Sequence, residues 1–441
     1  MAQWARGFCA PIRTGNHFAT GWRAEPKGKL PFAIVPSYCQ NCLLPCRKAA
    51  AQSDMEPGMD CRTGLRYTLP HRTRGSCQMA LSHRERILRT LSRERPDRVA
   101  LLGGWVLGDQ LQADLAGMTP EEYWRDPLRA AFEAERSLGV DAIIALHPAS
   151  FPGEYRGDAS KETFEAYKER FNSPEDVRDY VLGLPSPEEA LASFDAGAWL
   201  AAFRSHIETT QAMLGDIVYL PTLWDIVHPT FEHYPTFGYM NYLMFLKLYP
   251  EAAEKLFWSQ NLVERRKAEL VVQLYRELDI PPLTLIGTDI AGRDGPMVSP
   301  AFLDRYYFPA VRHAIQPMVE AGFHLVWHSD GMIHPLVDGV LSTGAAGFQG
   351  FQTEYGVDLA WIAGHRRRDG QRLTIWAGLS TAALLRYGTP DEIRQETERI
   401  IDTLADTSNL FILPGNNVLP DCPPENVRTM YRHAAEYSRR R

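Results

Sequence analysis

The sequence predicts an α/β chain built as a single (β/α)8 TIM barrel, on three observations. From residue 79 to the end, short apolar runs alternate with amphipathic stretches of helix length, and eight such runs can be counted. Four of the helical stretches open on one signal, a Ser or Thr followed by Pro and an acid. Nearly every apolar run ends in polar residues. Alternation of this kind demands parallel pairing through right-handed crossovers, and eight units favour a closed barrel over an open sheet.

Taken in order, Ser82–Leu91 reads as a helix closed by Pro96, and Val99–Trp105 as the first strand. Thr119-Pro120-Glu121-Glu122 opens a helix that runs to Gly139. The threonine caps, the proline suits the first turn, and the acids meet the positive helix end. Asp141–His147 is the second strand. Ser173-Pro174-Glu175 and Ser186-Pro187-Glu188 open two more helices, the second reaching Gly215, and Asp216–Pro221 is the third strand. Thr222–Leu248 reads as an insertion rich in aromatics and histidine, and Pro250–Leu278 as one long amphipathic helix. Leu283–Asp289 is the fourth strand, Ser299-Pro300 opens the next helix, and Phe323–His328 is the fifth strand. A short helix over Ile333–Ser342 leads to the sixth strand, Ala346–Gln352. Asp358–Arg368 is helical and closes at Gly370, before the seventh strand, Arg372–Gly378. Thr389-Pro390-Asp391-Glu392 opens a helix, Asn409–Pro414 is the eighth strand, and Pro423-Pro424-Glu425 opens the last helix. Neither G-x-G-x-x-G nor a P-loop follows the first strand.

The chain has 441 residues, 45% of them hydrophobic, which is enough for one large core. It has no apolar run of about 18 residues, so no spanning helix is expected. Residues 1–78 differ from the rest. They carry 11 basic and 4 acidic residues and six of the seven cysteines, whereas 79–441 carry 36 basic and 50 acidic. An acidic body argues against nucleic acid as a partner. A body with one thiol, Cys422, suits a reducing cytoplasm. Cys39, Cys42 and Cys46 are spaced as thiolates sharing an ion are, but no nearby ligands complete a recognisable pattern. Met79 begins MALSHRERILRTLSRERPDRV, which reads as a natural start running straight into a helix. Residues 1–78 are therefore expected to be a dispensable, disordered extension, and 79–441 the barrel.

In a barrel the reacting groups collect at the C-terminal ends of the strands. The stretch FHLVWHSDG, Phe323–Gly331, is the clearest such end. His328 and Asp330 are two apart, so on extended chain they share a face and can reach one ligand. Asp289, Glu354 and Asn416 stand at or beyond other strand ends, and Cys422 follows the eighth. Imidazole, carboxylate and thiolate form a zinc ligand set, so His328, Asp330, Glu354 and Cys422 are candidate ligands, and a zinc would lower the pKa of a substrate thiol. The plain alternatives are a core histidine held by an acid and a small residue at a helix start. Trp224, His228 and Tyr234 in the insertion are candidate substrate contacts, and Arg293 is a candidate carboxylate binder.

From about residue 82 to 438 the chain resembles the uroporphyrinogen decarboxylase superfamily, which includes the porphyrinogen decarboxylases and corrinoid-linked methyltransferases. The resemblance rests on ERILRTLSRERPDRV (85–99), GTDIAGRDGPMVSP (287–300), HSDG (328–331), WAGLST (376–381), YGTPDEI (387–393) and PDCPPENV (420–427). The methyltransferase branch holds zinc on His-x-Cys and a distant Cys, with a Glu between them in related enzymes. His328, Glu354 and Cys422 match that layout, and Asp330 stands where the first cysteine falls. The resemblance implies a zinc-assisted methyl transfer between a methylated substrate or a corrinoid partner protein and an acceptor. The decarboxylase branch implies a metal-free reaction on uroporphyrinogen or a smaller carboxylate. There Asp289 or Asp330 would stabilise the protonated intermediate and Arg293 would hold a carboxylate. That branch carries paired arginines after its first strand, where this chain reads LLGGWVLGDQLQ.

Overall fold

A computed structural model describes residues 80–154 and 171–441. All eight predicted strands are present. They are β1 (Ala100–Gly103), β2 (Ala142–Ile143), β3 (Val218–Tyr219) and β4 (Leu283–Gly287), then, after a two-strand hairpin of β5 (Ala291–Gly292) and β6 (Gly295–Pro296), β7 (His324–His328), β8 (Gly347–Gln349), β9 (Thr374–Ala377) and β10 (Asn409–Ile412). One eight-stranded sheet runs in the order β3-β2-β1-β10-β9-β8-β7-β4, and its pairs are parallel. The β3 and β4 ends of that order meet just beyond β3. There Leu223 N–H donates to Leu285 O at 2.9 Å and Thr284 Oγ1 to Pro221 O at 2.8 Å.

The apolar residues divide into two layers. Leu102, Leu285, Val326, Trp376 and Phe411, from five of the strands, pack with Ile144 and Leu220, which lie just beyond β2 and β3. Ile87 and Leu91 of the helix His83–Ser92 join this inner cluster. A larger cluster lies between the sheet and the surrounding helices. Where β2 begins, Arg86 and Arg98 both pair with the fully buried Asp141, and Asp97 completes the network. Buried charges paired in this way are structural, and they lie at the end of the strands away from His328.

The caps work as the sequence implies. Thr119, Ser186 and Thr389 each close a capping box, and Ser173 and Ser299 accept an N–H from the first turn. The interiors differ from expectation. The helix opened at Thr119 stops at Tyr123 and restarts at Pro127 on an Asp126 cap. The one opened at Ser186 stops at Ala192 and restarts at Ala196 on Asp195. The expected helix Pro250–Leu278 is two, Pro250–Trp258 and Asn261–Glu277. The stretch after Ser299 passes through a π turn at Leu303–Tyr307 before the helix Phe308–Glu320. Asp358–Arg368 is helical only over Leu359–Ala363. Beyond it Arg366 and Arg372 pair antiparallel around Gly370, whose φ is +76°. The insertion contains two helices, Tyr234–Phe237 and Tyr239–Leu248. Among the described residues no helix is long and apolar enough to cross a membrane. The 1–78 extension and its cysteines lie outside the described residues.

Candidate metal centre

The site begins with the end of β7. His328 is the last strand residue and is 4% exposed. Gly331 follows at φ +85°, and a Cβ there would run into the backbone of Gly292 in the hairpin, so only glycine fits this turn. The chain therefore turns sharply after Asp330 and leaves its carboxylate beside the imidazole.

Gln349, the last residue of β8, decides how the imidazole is used. Its Nε2 donates to the carbonyls of Gly415, at 3.1 Å, and Pro414, at 3.4 Å. The amide oxygen must then face His328 Nδ1, and it makes a short bond there. An oxygen acceptor at Nδ1 requires the proton on Nδ1, so Nε2 carries the lone pair. Burial pushes the His328 pKa down to about 4, which keeps the ring neutral. Trp105 and Trp224 lie against it, with ring centres 5.6 and 4.6 Å away.

Nε2 points at two carboxylates. It is 3.7 Å from Asp289 Oδ1 and 3.8 Å from Asp330 Oδ1. Donor atoms of these three residues lie within 4.8 Å of one another, and no other such group occurs among the described residues. Asp289 Oδ1 accepts the N–H of Asp330 at 2.7 Å. Asn416, beyond β10, donates from Nδ2 to both Asp330 oxygens, at 3.0 and 2.8 Å. Glu232, from the insertion, accepts the N–H of Asp289 at 2.8 Å. Gln352 Oε1 accepts the N–H of Gly331 at 2.8 Å. Successive strand ends are thus tied to one another by carboxylate and amide groups.

The electrostatics are one-sided. Burial pushes Asp289 up to about 6, against the help of the Asp330 N–H. Burial and the neighbouring Asp289 charge push Asp330 well above the usual carboxylate range. Among the described residues no Lys or Arg pairs with Asp289, Asp330 or Glu232. A divalent cation would reverse these shifts, because it stabilises the ionised carboxylates that burial penalises. A neutral imidazole lone pair and two carboxylates make a donor set that suits zinc, iron or manganese. The residues fit a metal.

The remaining sequence candidates fall as follows. Cys422 is buried, donates from Sγ to Thr381 O at 3.8 Å, and is pushed up to about 11 by burial. Glu354 is exposed on the turn Thr353–Tyr355, and its charge reaches Asp330 from there. Neither joins the donor group: of the expected ligands His328, Asp330, Glu354 and Cys422, the structure brings His328 and Asp330 together, and beside them Asp289. The reason is direction. The Cys422 thiol is turned toward the Thr381 carbonyl, and not toward His328. His228, expected as a substrate contact, is fully buried. Its Nε2 accepts the N–H of Gly287 at 2.9 Å and its Nδ1 bonds Pro229 O at 2.9 Å, which occupies both nitrogens with backbone. Tyr234 donates its hydroxyl to Glu232 at 3.0 Å. Arg293 lies exposed on the hairpin, over the Tyr355 ring at 5.6 Å. Sequence reasoning missed Gln349 and Glu232. Gln349 lies inside the sixth expected strand, Ala346–Gln352, and the structure ends β8 at it. Nothing around Glu232 marks it.

Residues 288–437 match the family model described as uroporphyrinogen decarboxylase (URO-D). Among solved structures, a methyltransferase from Methanosarcina mazei is similar, with a TM-score of 0.52 and 14% identity over 81% of this chain and 99% of that chain. At that identity the likeness is one of fold. No curated protein sequence matches the chain.

Proposed function

We propose that the chain is a member of the uroporphyrinogen decarboxylase superfamily, whose family model matches residues 288–437, and that it is an enzyme that transfers a methyl group with a divalent metal held by Asp289, His328 and Asp330. The observation that carries this reading is the donor group itself: three ligand atoms within 4.8 Å, from the buried His328 and Asp330 and the nearly buried Asp289, with no Lys or Arg among the described residues paired to them. The fold likeness to a methyltransferase supports it. On this reading the Leu223–Leu285 bond is the seam that closes the eight strands into a barrel. A corrinoid, free or on a partner protein, would exchange the methyl group, and the setting would be the cytoplasm.

The protein's own residues would do four things. Gln349 holds the His328 proton on Nδ1 and so directs the Nε2 lone pair into the site. Asn416 aligns both Asp330 oxygens. Trp105 and Trp224 shield the imidazole from water. Asp289 buttresses the turn at Asp330 through its N–H. Zinc, when bound, supplies Lewis acidity that lowers the pKa of an acceptor or polarises a leaving group. With carboxylates in place of thiolates, the ligands donate less charge and leave that acidity stronger.

Metal-free decarboxylation is the second reading. Asp289, raised to about 6, is suited to hold a proton near neutral pH. Against it, a porphyrinogen is rich in carboxylates, and the site offers carboxylates where such a substrate needs arginines. Two assays separate the readings. Protein loaded with zinc and given methylcobalamin and a thiol should remove the methyl group, seen as the loss of the methylcobalamin absorption, and His328→Ala should not. Release of carbon dioxide from uroporphyrinogen by metal-free protein would reverse the choice.

A further inference from the structure

Glu232 is the carboxylate that neither the motifs nor the donor group includes. It lies in the aromatic insertion, yet it accepts more hydrogen bonds than the side chain of Asp289 or Asp330. Its Oε1 takes the N–H of Asp289 at 2.8 Å and the hydroxyl of Thr288 at 3.0 Å. Its Oε2 takes the hydroxyl of Tyr234 at 3.0 Å. Its own N–H donates to Thr230 Oγ1 at 3.0 Å, and that oxygen is 3.4 Å from Thr288 Oγ1. A carboxylate that only fastened a loop could bond anywhere along β4. This one bonds the peptide that carries Asp289.

The consequence passes along the backbone. Asp289 Oδ1 accepts the Asp330 N–H, and both carboxylates face His328 Nε2. A shift of the Asp289 peptide therefore moves two of the three donors. We infer that Glu232 is a positioning residue: it fixes the Asp289 peptide, sets the spacing between the carboxylates and His328, and makes the insertion part of the centre rather than a cover over it. The metal arm of the test rests on the function proposed above, and the exchange arm does not.

Three variants of the full chain decide it. Glu232→Ala removes all three accepted bonds. Glu232→Gln keeps an oxygen for the Asp289 N–H and turns its amide toward Tyr234, whose hydroxyl can accept. Tyr234→Phe removes only the Oε2 bond. The first readout is zinc affinity by competition with a chelator. Loss of an outer partner of a metal ligand typically costs about 10–100-fold, so Glu232→Ala should fall in that range while Glu232→Gln stays within about threefold of the parent and Tyr234→Phe falls between. The second is hydrogen exchange at Asp289 in metal-free protein, where Glu232→Ala should lose about tenfold or more of protection and Glu232→Gln should restore it. Parental zinc affinity in Glu232→Ala, or a glutamine variant no better than alanine, would overturn the inference. If the parent binds no zinc, the metal reading fails, and unchanged exchange at Asp289 in Glu232→Ala would then sink the role of Glu232 separately.

Discussion

Gln349 decides which nitrogen of His328 faces the carboxylates, because two backbone carbonyls fix its own orientation. Gln349→Leu keeps much of the bulk and removes the constraint. The ring can then turn, or place its proton on Nε2. Zinc affinity should fall about 10–100-fold with the fold intact, read by chelator competition beside a thermal melt. An unchanged affinity would mean that the tautomer is set elsewhere. At this scale the sequence was informative about position and silent about direction. His328, Asp330, Asp289 and Asn416 were legible because each stands at or just beyond a strand end, where a parallel α/β sheet presents its chemistry. Cys422 stands in a matching segment, but its rotamer points to Thr381 O, and no spacing encodes a rotamer. Glu232 was illegible because a long insertion can carry any of its polar residues to the site.

At the scale of elements, buried parallel strands leave a strong trace, since both of their faces are apolar. That is why all eight were readable, including β2 and β3, which pair over only two residues each. Helix starts were readable for a local reason, the Ser/Thr-Pro-acid cap. Helix interiors were not. At Ser259–Gln260 one amphipathic stretch divides into the helices Pro250–Trp258 and Asn261–Glu277 with no Gly or Pro to mark the break. Asp109–Ala116 passed unnoticed because its apolar face merges with the first strand. Gly347 in β8 gives an element-scale prediction. A Cβ there would land on the carbonyl of Thr374, its partner in β9. Gly347→Ala should destabilise the chain by about 1–3 kcal/mol in urea unfolding through overpacking. No change in midpoint would mean that the β8–β9 pairing is looser than its register implies.

At the scale of the whole molecule, several buried carboxyls must be kept neutral or paired, Glu135, Asp141 and Glu264 among them. Glu135 is 3% exposed, accepts the Val106 N–H at 3.1 Å, and is pushed up to about 7 by burial. An acid whose native pKa lies above its unfolded value binds more protons folded than unfolded between the two. Stability therefore falls as pH rises from 4.5, its unfolded value, to about 7. The loss is of the order of 3 kcal/mol, at 1.36 kcal/mol per unit. Glu135→Gln removes this dependence, so urea unfolding at pH 5 and pH 7.5 should show the parent losing stability relative to the variant. Parallel behaviour of the two would mean that Glu135 stays ionised in the fold.

The centre itself is open to one decisive measurement, the zinc content of metal-stripped protein after equilibrium dialysis against the ion. The parent should take up about one equivalent, as a single protein site does, and Cys422→Ala should take up the same. His328→Ala and Asp330→Ala should take up none. A parent that stays metal-free would contradict the assignment, and so would loss of the ion in Cys422→Ala with Asp330→Ala still loaded.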